Sequence, residues 1–358
     1  MTAHVRGSAH PWHHRRRRLA PSAFLFAMVA CAGDRADPLA PRAGESYADS
    51  FARVWATVDR EYAYFAHKGI DWSAARVAFA PRAAAVTSDS AFGEVVREML
   101  GGLRDVHVGV STPTGAYRAA TLFPDRRNWT RDPWLATLAQ AEVPYRNSGD
   151  VGDAQFRVEG RRIGYLVVAS WNGARTTTDA LDAALARLRD VNALVIDVRM
   201  NGGGDSRLAL QLAGRLTSVR RPASSVQFRN GPRHTDFGAR TTGVTEPRGP
   251  FTLTQPVTLL VGRGCVSSCE GFASAMEAIP TVRLVGDTTF GGSGNPGEFP
   301  LRGGWTMRVS RWIEYTTRDV IIEDHGIAPA EVVRGDDAVR AAGRDAVLEH
   351  ALRLAARR

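Results

Sequence analysis

The sequence contains one lysine, three cysteines and no long apolar run. Of the 46 basic residues Lys68 is the only lysine, so the other 45 are arginines, which stay protonated and cannot serve as general bases. No stretch approaches the roughly 18 consecutive apolar residues of a membrane-spanning helix, so we expect a soluble body. With 44% hydrophobic and 23% charged residues, the composition is that of a globular protein of one or two domains, and it excludes disorder, collagen and coiled coil.

The net charge of +9 does not indicate a nucleic-acid-binding protein. Residues 1–31 hold five arginines and no acidic residue, so the remainder has 41 basic and 37 acidic residues and a net charge of +4. Its arginines are scattered along the chain, whereas a protein that follows phosphates gathers them in a stripe. We therefore expect no nucleic-acid partner.

The N-terminus has the pattern of an export signal. Four arginines at 15–18 precede the apolar run AFLFAMVACA, and charged residues return at Asp34. The segment MVAC resembles the lipobox of bacterial lipoproteins, with Cys31 as the lipidated residue, although Met28 replaces the usual leucine. Cleavage at Ala30-Cys31-Ala32 by an ordinary signal peptidase is the alternative. Residues 1–31 are thus predicted to be a signal peptide, of the lipoprotein type if Cys31 is the lipidated residue. The protein is expected to be periplasmic or attached to the cell envelope.

Composition and periodicity divide the rest of the chain. Residues 32–46 indicate a linker. Apolar residues at three- and four-residue intervals predict a small helical domain over residues 47–112. Residues 113–160 are rich in Pro, Gly, Asn and Asp, so we expect an irregular connecting segment with at most a short hairpin, too short for an inserted PDZ module. Residues 336–358 are predicted to form a C-terminal helix.

Residues 161–335 alternate between apolar strands and amphipathic helices. Strands are predicted at 163–170, 192–199, 256–262 and 281–286, and helices at 177–189, 205–216 and 267–278. Apolar strands separated by helices indicate a mainly parallel sheet covered on both faces. Residues 305–315 alternate between polar and apolar and suggest an antiparallel strand. The predicted fold class is therefore α/β with a small N-terminal helical domain.

Two segments could place reactive groups at strand ends. A strand runs into three glycines at 202–204, where bare N–H groups could form an oxyanion hole or a phosphate cradle; a tight turn is the alternative. Ser267 begins the helix that follows the next strand, where the N–H of Ser268 and the helix dipole would stabilise a developing negative charge. Taken alone, a plain helix cap is the better interpretation of Ser267, because serine before an apolar helix is the commonest cap.

The few histidines limit which residue could act as the general base. Beyond residue 31 the chain has five histidines, and His107 is best placed, because it enters an alternating strand directly after a helix. A structural histidine is the alternative at that position. Glu323 follows another apolar strand and could orient an imidazole, or it could lie in an exposed turn.

The sequence has no convincing motif for a nucleotide or a metal site. Residues 292–297 fit G-x-G-x-x-G but lead into a strand, and no HExxH or zinc-spaced Cys/His cluster is present, so we expect no nucleotide and no metal. Cys265 and Cys269 flank Ser267 and either form a short-loop disulfide or are small buried residues. We expect buried thiols, because their spacing at a helix start suggests poor geometry for a bridge.

Five motifs taken in order resemble peptidase family S41, the C-terminal processing and tricorn-core proteases: LRDVHVGV, DVRMNGGG, GRGCVSSCEGFASAM, VGDTTFGG and EDHGIAP. The resemblance covers roughly residues 46–335. It implies a ClpP/crotonase-like β-β-α core, no cofactor, and cleavage of protein or peptide substrates through a serine. Alignment on Glu270 places that serine at Ser267.

The resemblance is closer to the tricorn-like branch than to the Ser-Lys branch. The lysine of the processing proteases is replaced by Gly292, and Lys68 lies far away in the sequence, so we expect its replacement by alanine to have almost no effect. The tricorn-like pattern instead implies His107 as base and Glu323 as the orienting carboxylate. Val106 departs from that pattern, because tricorn has a serine before the catalytic histidine.

The sequence thus predicts an exported serine peptidase with a Ser267-His107-Glu323 triad. The expected oxyanion hole is formed by backbone N–H groups of Gly203, Gly204 and Ser268. The alternative is a non-catalytic binding protein with the same core, since the family also resembles interphotoreceptor retinoid-binding modules, which hold apolar ligands.

Overall fold

The computed structural model describes residues 44–120, 127–335 and 343–358. Its N-terminal region is helical, with α1 (Tyr47–Glu61), α2 (Phe65–Lys68), α3 (Trp72–Ala85) and α4 (Asp89–Gly101). The side chains of Ser46 and Ser88 cap α1 and α4 by accepting backbone N–H groups three residues on. The expected signal peptide, Cys31 and nearly all of the expected linker lie outside the described residues.

A seven-stranded sheet forms the centre of the fold. From one edge to the other its strands are β14 (Glu331–Val332), β10 (Val282–Gly286), β9 (Val257–Val261), β6 (Ala193–Asp197), β5 (Arg161–Val168), β4 (Val151–Val158) and β3 (Val143–Ser148). The five strands from β14 to β5 are parallel, and β4 and β3 continue the sheet in antiparallel register. Every residue of β6 and β9 is buried, because helices cover both faces.

The two faces carry different helices. On one face, α6 (Thr178–Arg187), α7 (Ser206–Gly214) and α8 (Ser268–Glu277) pack on the sheet, and on the other face lie α5 (Arg131–Leu138) and α9 (Ala346–Ala356). The mixed α/β class, with a helical N-terminal region and a sheet core, is therefore confirmed. Among the helices of the described ranges, none has both the length and the hydrophobicity that crossing a bilayer requires.

Two small antiparallel sheets flank the centre. One contains β11 (Gly297–Pro300), β12 (Thr306–Val309), β1 (Gly109–Thr112) and β2 (Gly115–Arg118) in that order, and the other contains β13 (Trp312–Tyr315), β7 (Arg221–Phe228) and β8 (Thr241–Thr245). The alternating stretch 305–315 is therefore not one strand. It divides at Ser310 and Arg311, and its halves join different sheets.

The segment 113–160 is more regular than expected. It contains β2, α5, β3 and β4, and β4 pairs with β5 along its full length of eight residues. Gly152 and Asp153 interrupt the apolar pattern of β4 although both are buried. The carboxylate of Asp153 is compensated by the guanidinium of Arg187, an ion pair that composition alone does not show.

Candidate active site

Two parallel strands end side by side and bring their loops together. Strand β6 pairs with β9 up to Asp197 and Leu260, so the loops that follow both strands leave the same edge of the sheet. The first loop carries the three glycines and leads into α7, and the second carries Ser267 and leads into α8. The loops are in close contact, because a Cβ atom built on Gly203 would lie 2.9 Å from the Cβ of Ser267.

A buried arginine fixes the end of β6. The guanidinium of Arg199 is fully buried, and its Nη2 lies 2.7 Å from Oδ2 of Asp197 and 2.9 Å from Oδ2 of Asp345. Nη1 also donates to the backbone oxygen of Asn128. Two carboxylates offset the cost of burying this cation, and the position of the glycine turn is thereby tied to Asp345, the residue that caps the start of α9.

Ser267 has a backbone conformation that is rare for a residue with a side chain. Its φ is 60° and its ψ is −125° at the start of α8. The buried carboxylate of Glu270 accepts the N–H of Ser267 at 3.1 Å and that of Gly292 at 2.9 Å. Its other oxygen accepts from Gly291 N at 2.7 Å and from Oγ1 of Thr289 at 2.6 Å. Four donors around one carboxylate hold the strained serine in place.

The Glu270 carboxyl has an unusual proton affinity. Its complete burial raises the pKa to about 7, and the four hydrogen bonds that it accepts oppose that rise. From the sequence, Glu270 serves only to align the motif. The spacing Ser-x-x-Glu from Ser267 to Glu270 is that of a capping box, and this signal could have revealed its structural importance.

Ser267 and His107 line one cleft of about 540 Å³. Ser268 and Gly204 line the same cleft. The structure records no hydrogen bond between the side chains of Ser267 and His107, both of which it describes. It therefore brings the predicted nucleophile and base to one cavity without joining them directly.

The His107 ring is largely buried, and its nearest carboxylate is Asp105. Nδ1 is buried without a hydrogen-bond partner among the described residues, and it lies 3.8 Å from Oδ1 of Asp105, which also accepts the His107 backbone N–H at 2.8 Å. Burial lowers the pKa of His107 from 6.5, and the charges of Arg308 and Lys68 act in the same direction while Asp105 opposes them. The imidazole is therefore neutral at pH 7 and able to accept a proton.

Glu323 is bound to Lys68 and not to His107. Oε1 of Glu323 lies 2.6 Å from Nζ of Lys68, and Oε2 accepts the backbone N–H of Ser293 at 2.9 Å. No contact between the carboxylate of Glu323 and the ring of His107 is recorded, although both side chains belong to the described part. The predicted direct pairing of Glu323 with His107 is thus not present.

The expectation that Lys68 is remote is wrong. Its side chain is fully buried, and Nζ also lies 3.0 Å from the backbone oxygen of Arg104 and 3.2 Å from Oδ1 of Asp324. Although 255 residues separate Lys68 from Glu323, α2 packs against the core: the hydroxyl of Tyr64 donates to the backbone oxygen of Ser293. Sequence distance is no guide to spatial distance when a helical region folds over a core.

The charges around Lys68 keep it protonated. Burial opposes the charge, but Glu323, Asp105 and Asp324 together raise the pKa of Lys68 above 10.5. Burial and the neighbouring Asp105 raise the pKa of Glu323, and Lys68 opposes that rise. A protonated ammonium cannot accept a proton from Ser267, so Lys68 is not a candidate base.

The position that carries the lysine in the processing branch has little room for a side chain. A Cβ atom built on Gly292 would lie 2.9 Å from Cδ1 of Phe290 and 3.0 Å from Cγ2 of Val106. Both distances are shorter than ordinary contacts. A lysine at this position would require the aromatic ring and the valine to move.

Two of the three expected oxyanion donors are free. Within the described residues, no acceptor is recorded for the backbone N–H groups of Gly204 and Ser268, and both residues line the cleft. The expectation for Gly203 is wrong, because its N–H donates to Oδ1 of Asn201 at 2.9 Å. Gly203 instead permits close packing, since a Cβ atom there would lie 2.8 Å from the backbone oxygen of Val266.

Cys265 and Cys269 form a disulfide, so the expectation of free thiols is also wrong. Both residues are fully buried, as expected. Their Cα atoms are 5.3 Å apart, within the range that a disulfide spans. The two cysteines can meet because Cys265 precedes α8 and the chain turns at Ser267 before the helix begins. Among the described residues, no cluster of three or more His, Cys, Asp or Glu side chains is arranged to hold a metal ion.

Comparisons with known proteins agree with this architecture. Residues 162–333 match the model of peptidase family S41, and residues 43–101 match the model of the tricorn protease C1 domain. The segment that holds Ser267 and most of the central sheet therefore belongs to peptidase family S41.

Individual relatives are distant. The chain is 22% identical over 236 residues to the carboxy-terminal processing protease CtpB of Bacillus subtilis (strain 168), a match covering 65% of this chain and 46% of the relative. It thus spans less than half of that protein. A putative peptidase from Parabacteroides merdae is 25% identical, with a TM-score of 0.77 over 87% of this chain and 97% of the other. Mature CPAF has a TM-score of 0.65 at 12% identity, covering 86% and 98%, which shows a shared fold alone.

Proposed function

We propose that the protein is a serine-type peptidase that cleaves protein or peptide substrates through an acyl-enzyme. The observation that carries the proposal is the strained backbone of Ser267, held by Glu270 in a cleft that also contains His107 and two free N–H groups. A helix cap normally has an extended backbone with negative φ, whereas strained residues with positive φ are concentrated at active sites.

In the proposed reaction, Oγ of Ser267 attacks the carbonyl carbon of the scissile bond while His107 takes the hydroxyl proton. Because Nδ1 is the buried ring nitrogen, Nε2 is the atom assigned to this transfer. The N–H groups of Gly204 and Ser268 donate to the oxyanion. The imidazolium then gives its proton to the leaving amine. Water, deprotonated by His107, releases the acyl group from Ser267.

We infer that Asp105, and not Glu323 as the sequence predicts, is the carboxylate that orients the imidazole of His107. Its Oδ2 is buried without a partner, and its Oδ1 lies close enough to Nδ1 of His107 for a small movement on substrate binding to form a hydrogen bond. Glu323 then stabilises the loop at Ser293 and neutralises Lys68. Asp105→Asn should therefore reduce kcat more than Glu323→Gln, provided that both variants remain folded.

A fluorophosphonate probe tests the proposal most directly. The wild-type protein should be labelled at Ser267, whereas Ser267→Ala should not be labelled and His107→Ala should react far more slowly. Ser148→Ala, at an exposed serine of β3, is the matched control and should label normally. A folded wild-type protein that does not react would favour the non-catalytic binding protein.

We also propose export, with lipidation at Cys31. The Cys265–Cys269 disulfide supports this proposal, because stable disulfides form in oxidising compartments. Expression in a bacterial host should yield a mature chain that begins at Cys31 and partitions with membranes. A soluble product that starts near Gly33 would refute the lipid attachment and leave export standing.

A further inference from the structure

A buried carboxylate lines the cleft at a distance from the reacting groups. Glu314 lies on β13 and is only 6% exposed, yet it faces the same cleft as Ser267. Oε1 accepts the hydroxyl of Ser224 and Oε2 accepts that of Ser293, each at 2.5 Å. Within the described residues, no ion pair compensates the charge of Glu314. A buried carboxylate held only by hydroxyl groups is unusual, and its surroundings suggest what compensates it.

Gly271 leaves this carboxylate open to the cleft. A Cβ atom built on Gly271 would lie 3.0 Å from Oε1 of Glu314 and 3.7 Å from Oγ of Ser224. A glycine inside a helix costs about 1 kcal/mol relative to alanine, and here its missing side chain creates space directly above the carboxylate. Gly271 lies four residues after Ser267 in α8, which corresponds to roughly 6 Å along the helix axis.

Part of the cleft wall is apolar. Ala209 and Leu210 of α7, Ala223 and Val226 of β7, and Phe272 of α8 line the cleft. An arginine or lysine side chain combines an aliphatic stem with a terminal cation, so its parts match the walls and the end of this space.

We propose that Glu314 is a specificity-determining residue, which selects substrates with arginine or lysine at the residue whose carbonyl Ser267 attacks. The proposal rests on the proposed peptidase function and adds the class of substrate. The cation of the substrate side chain donates to the carboxylate above Gly271, while Ser224 and Ser293 keep that carboxylate in place.

The charge balance supports this assignment. Burial raises the pKa of Glu314, and the hydroxyl groups of Ser224 and Ser293 only partly oppose that rise. A cation arriving with the substrate supplies the missing opposite charge. The two arginines of the cleft, Arg118 and Arg308, also line the groove along β1 beside His107, so they lie toward the other end of the cleft.

The test compares two fluorogenic peptides that differ only in having arginine or citrulline before the scissile bond. Citrulline has the same length and shape as arginine but no charge. For the wild-type protein, kcat/KM should be about 10- to 100-fold higher with arginine, the range expected for a charge-assisted hydrogen bond. Glu314→Gln should bring the ratio close to one and leave cleavage of the citrulline peptide within a few fold.

A second variant tests the space above the carboxylate. Gly271→Ala should reduce cleavage of the arginine peptide, while labelling of Ser267 by a small fluorophosphonate should persist. Equal rates of the wild-type protein on the two peptides would overturn the specificity proposal, and so would a ratio that Glu314→Gln does not change. In both cases the peptidase proposal would stand. If the wild-type protein cleaves no peptide and does not label, the peptidase proposal fails and the specificity proposal fails with it.

Discussion

Replacing Lys68 by methionine should destabilise the protein strongly. The side chain is fully buried, and Nζ has three acceptors at 2.6–3.2 Å, of which Glu323 is itself 2% exposed. Methionine fills a similar volume but leaves the Glu323 carboxylate without its cation and next to Asp105. Removing one partner of a buried ion pair costs about 3–5 kcal/mol. For the roughly 300 residues that the structure describes, the usual unfolding entropy converts this loss into a Tm lower by about 5–8 °C.

A double-mutant cycle separates the ion pair from other effects of the substitution. Thermal unfolding followed by circular dichroism gives the Tm of Lys68→Met, Glu323→Gln and the double variant. Because the double variant has neither charge, it should be more stable than the sum of the single losses implies. Arg60→Met removes a cation from the half-exposed pair with Glu61 and should change the free energy of unfolding by less than about 1 kcal/mol. A Tm for Lys68→Met within 1 °C of wild type, or strictly additive losses, would refute the reasoning.

Three further predictions concern groups around the cleft. Glu270→Gln places an NH₂ group against two of four donors, so it should lower the free energy of unfolding by about 2–4 kcal/mol and slow fluorophosphonate labelling. The pKa of Glu270 is about 7 in the folded protein and 4.5 ordinarily, so its protonation contributes to the free energy of unfolding. That contribution is complete below pH 4.5 and is lost as the pH rises through 7. Glu270→Gln should lack this pH dependence. Arg308→Gln should shift the acid limb of the kcat/KM profile to higher pH, because Arg308 lowers the pKa of His107, which must be neutral to act as the base. Asp105→Asn should shift the acid limb to lower pH, because Asp105 raises that pKa. Replacing Cys265 and Cys269 together by alanine should lower stability by about 2 kcal/mol and preserve labelling, since neither residue lines the cleft.

The sequence predicts well whatever depends on local pattern. Apolar runs such as 193–197 and 257–261 are buried at every position, so their strands and the parallel sheet follow from composition and spacing. Ser267, His107 and the glycine turn are also found at one cleft, because each lies at the end of an element whose direction the pattern indicates. Strand β4 was missed because its buried Asp153 depends on a distant arginine.

The charges of the site could not be predicted in the same way. The pairing of Lys68 with Glu323 joins residues 255 positions apart, and nothing near either residue specifies the other. The Gly203 amide was assigned to the oxyanion hole because the sequence shows a free glycine N–H but not the Asn201 side chain that accepts it. In both cases the sequence does not show which polar groups pair with each other once they are buried.

The position of the only lysine follows from the geometry around it. Three acceptors converge on Nζ: a carboxylate oxygen of Glu323, one of Asp324 and the backbone oxygen of Arg104. An ammonium donates three bonds in a compact arrangement, whereas a planar guanidinium spreads its donors in a fork and needs more space. The chain uses arginine for every other basic residue, including the buried Arg199, whose planar guanidinium donates along one edge to Asp197 and along another edge to Asp345. With Lys68 bound to Glu323, and Glu270 surrounded by neutral donors, Glu314 is the cleft carboxylate left for a cation from outside the chain.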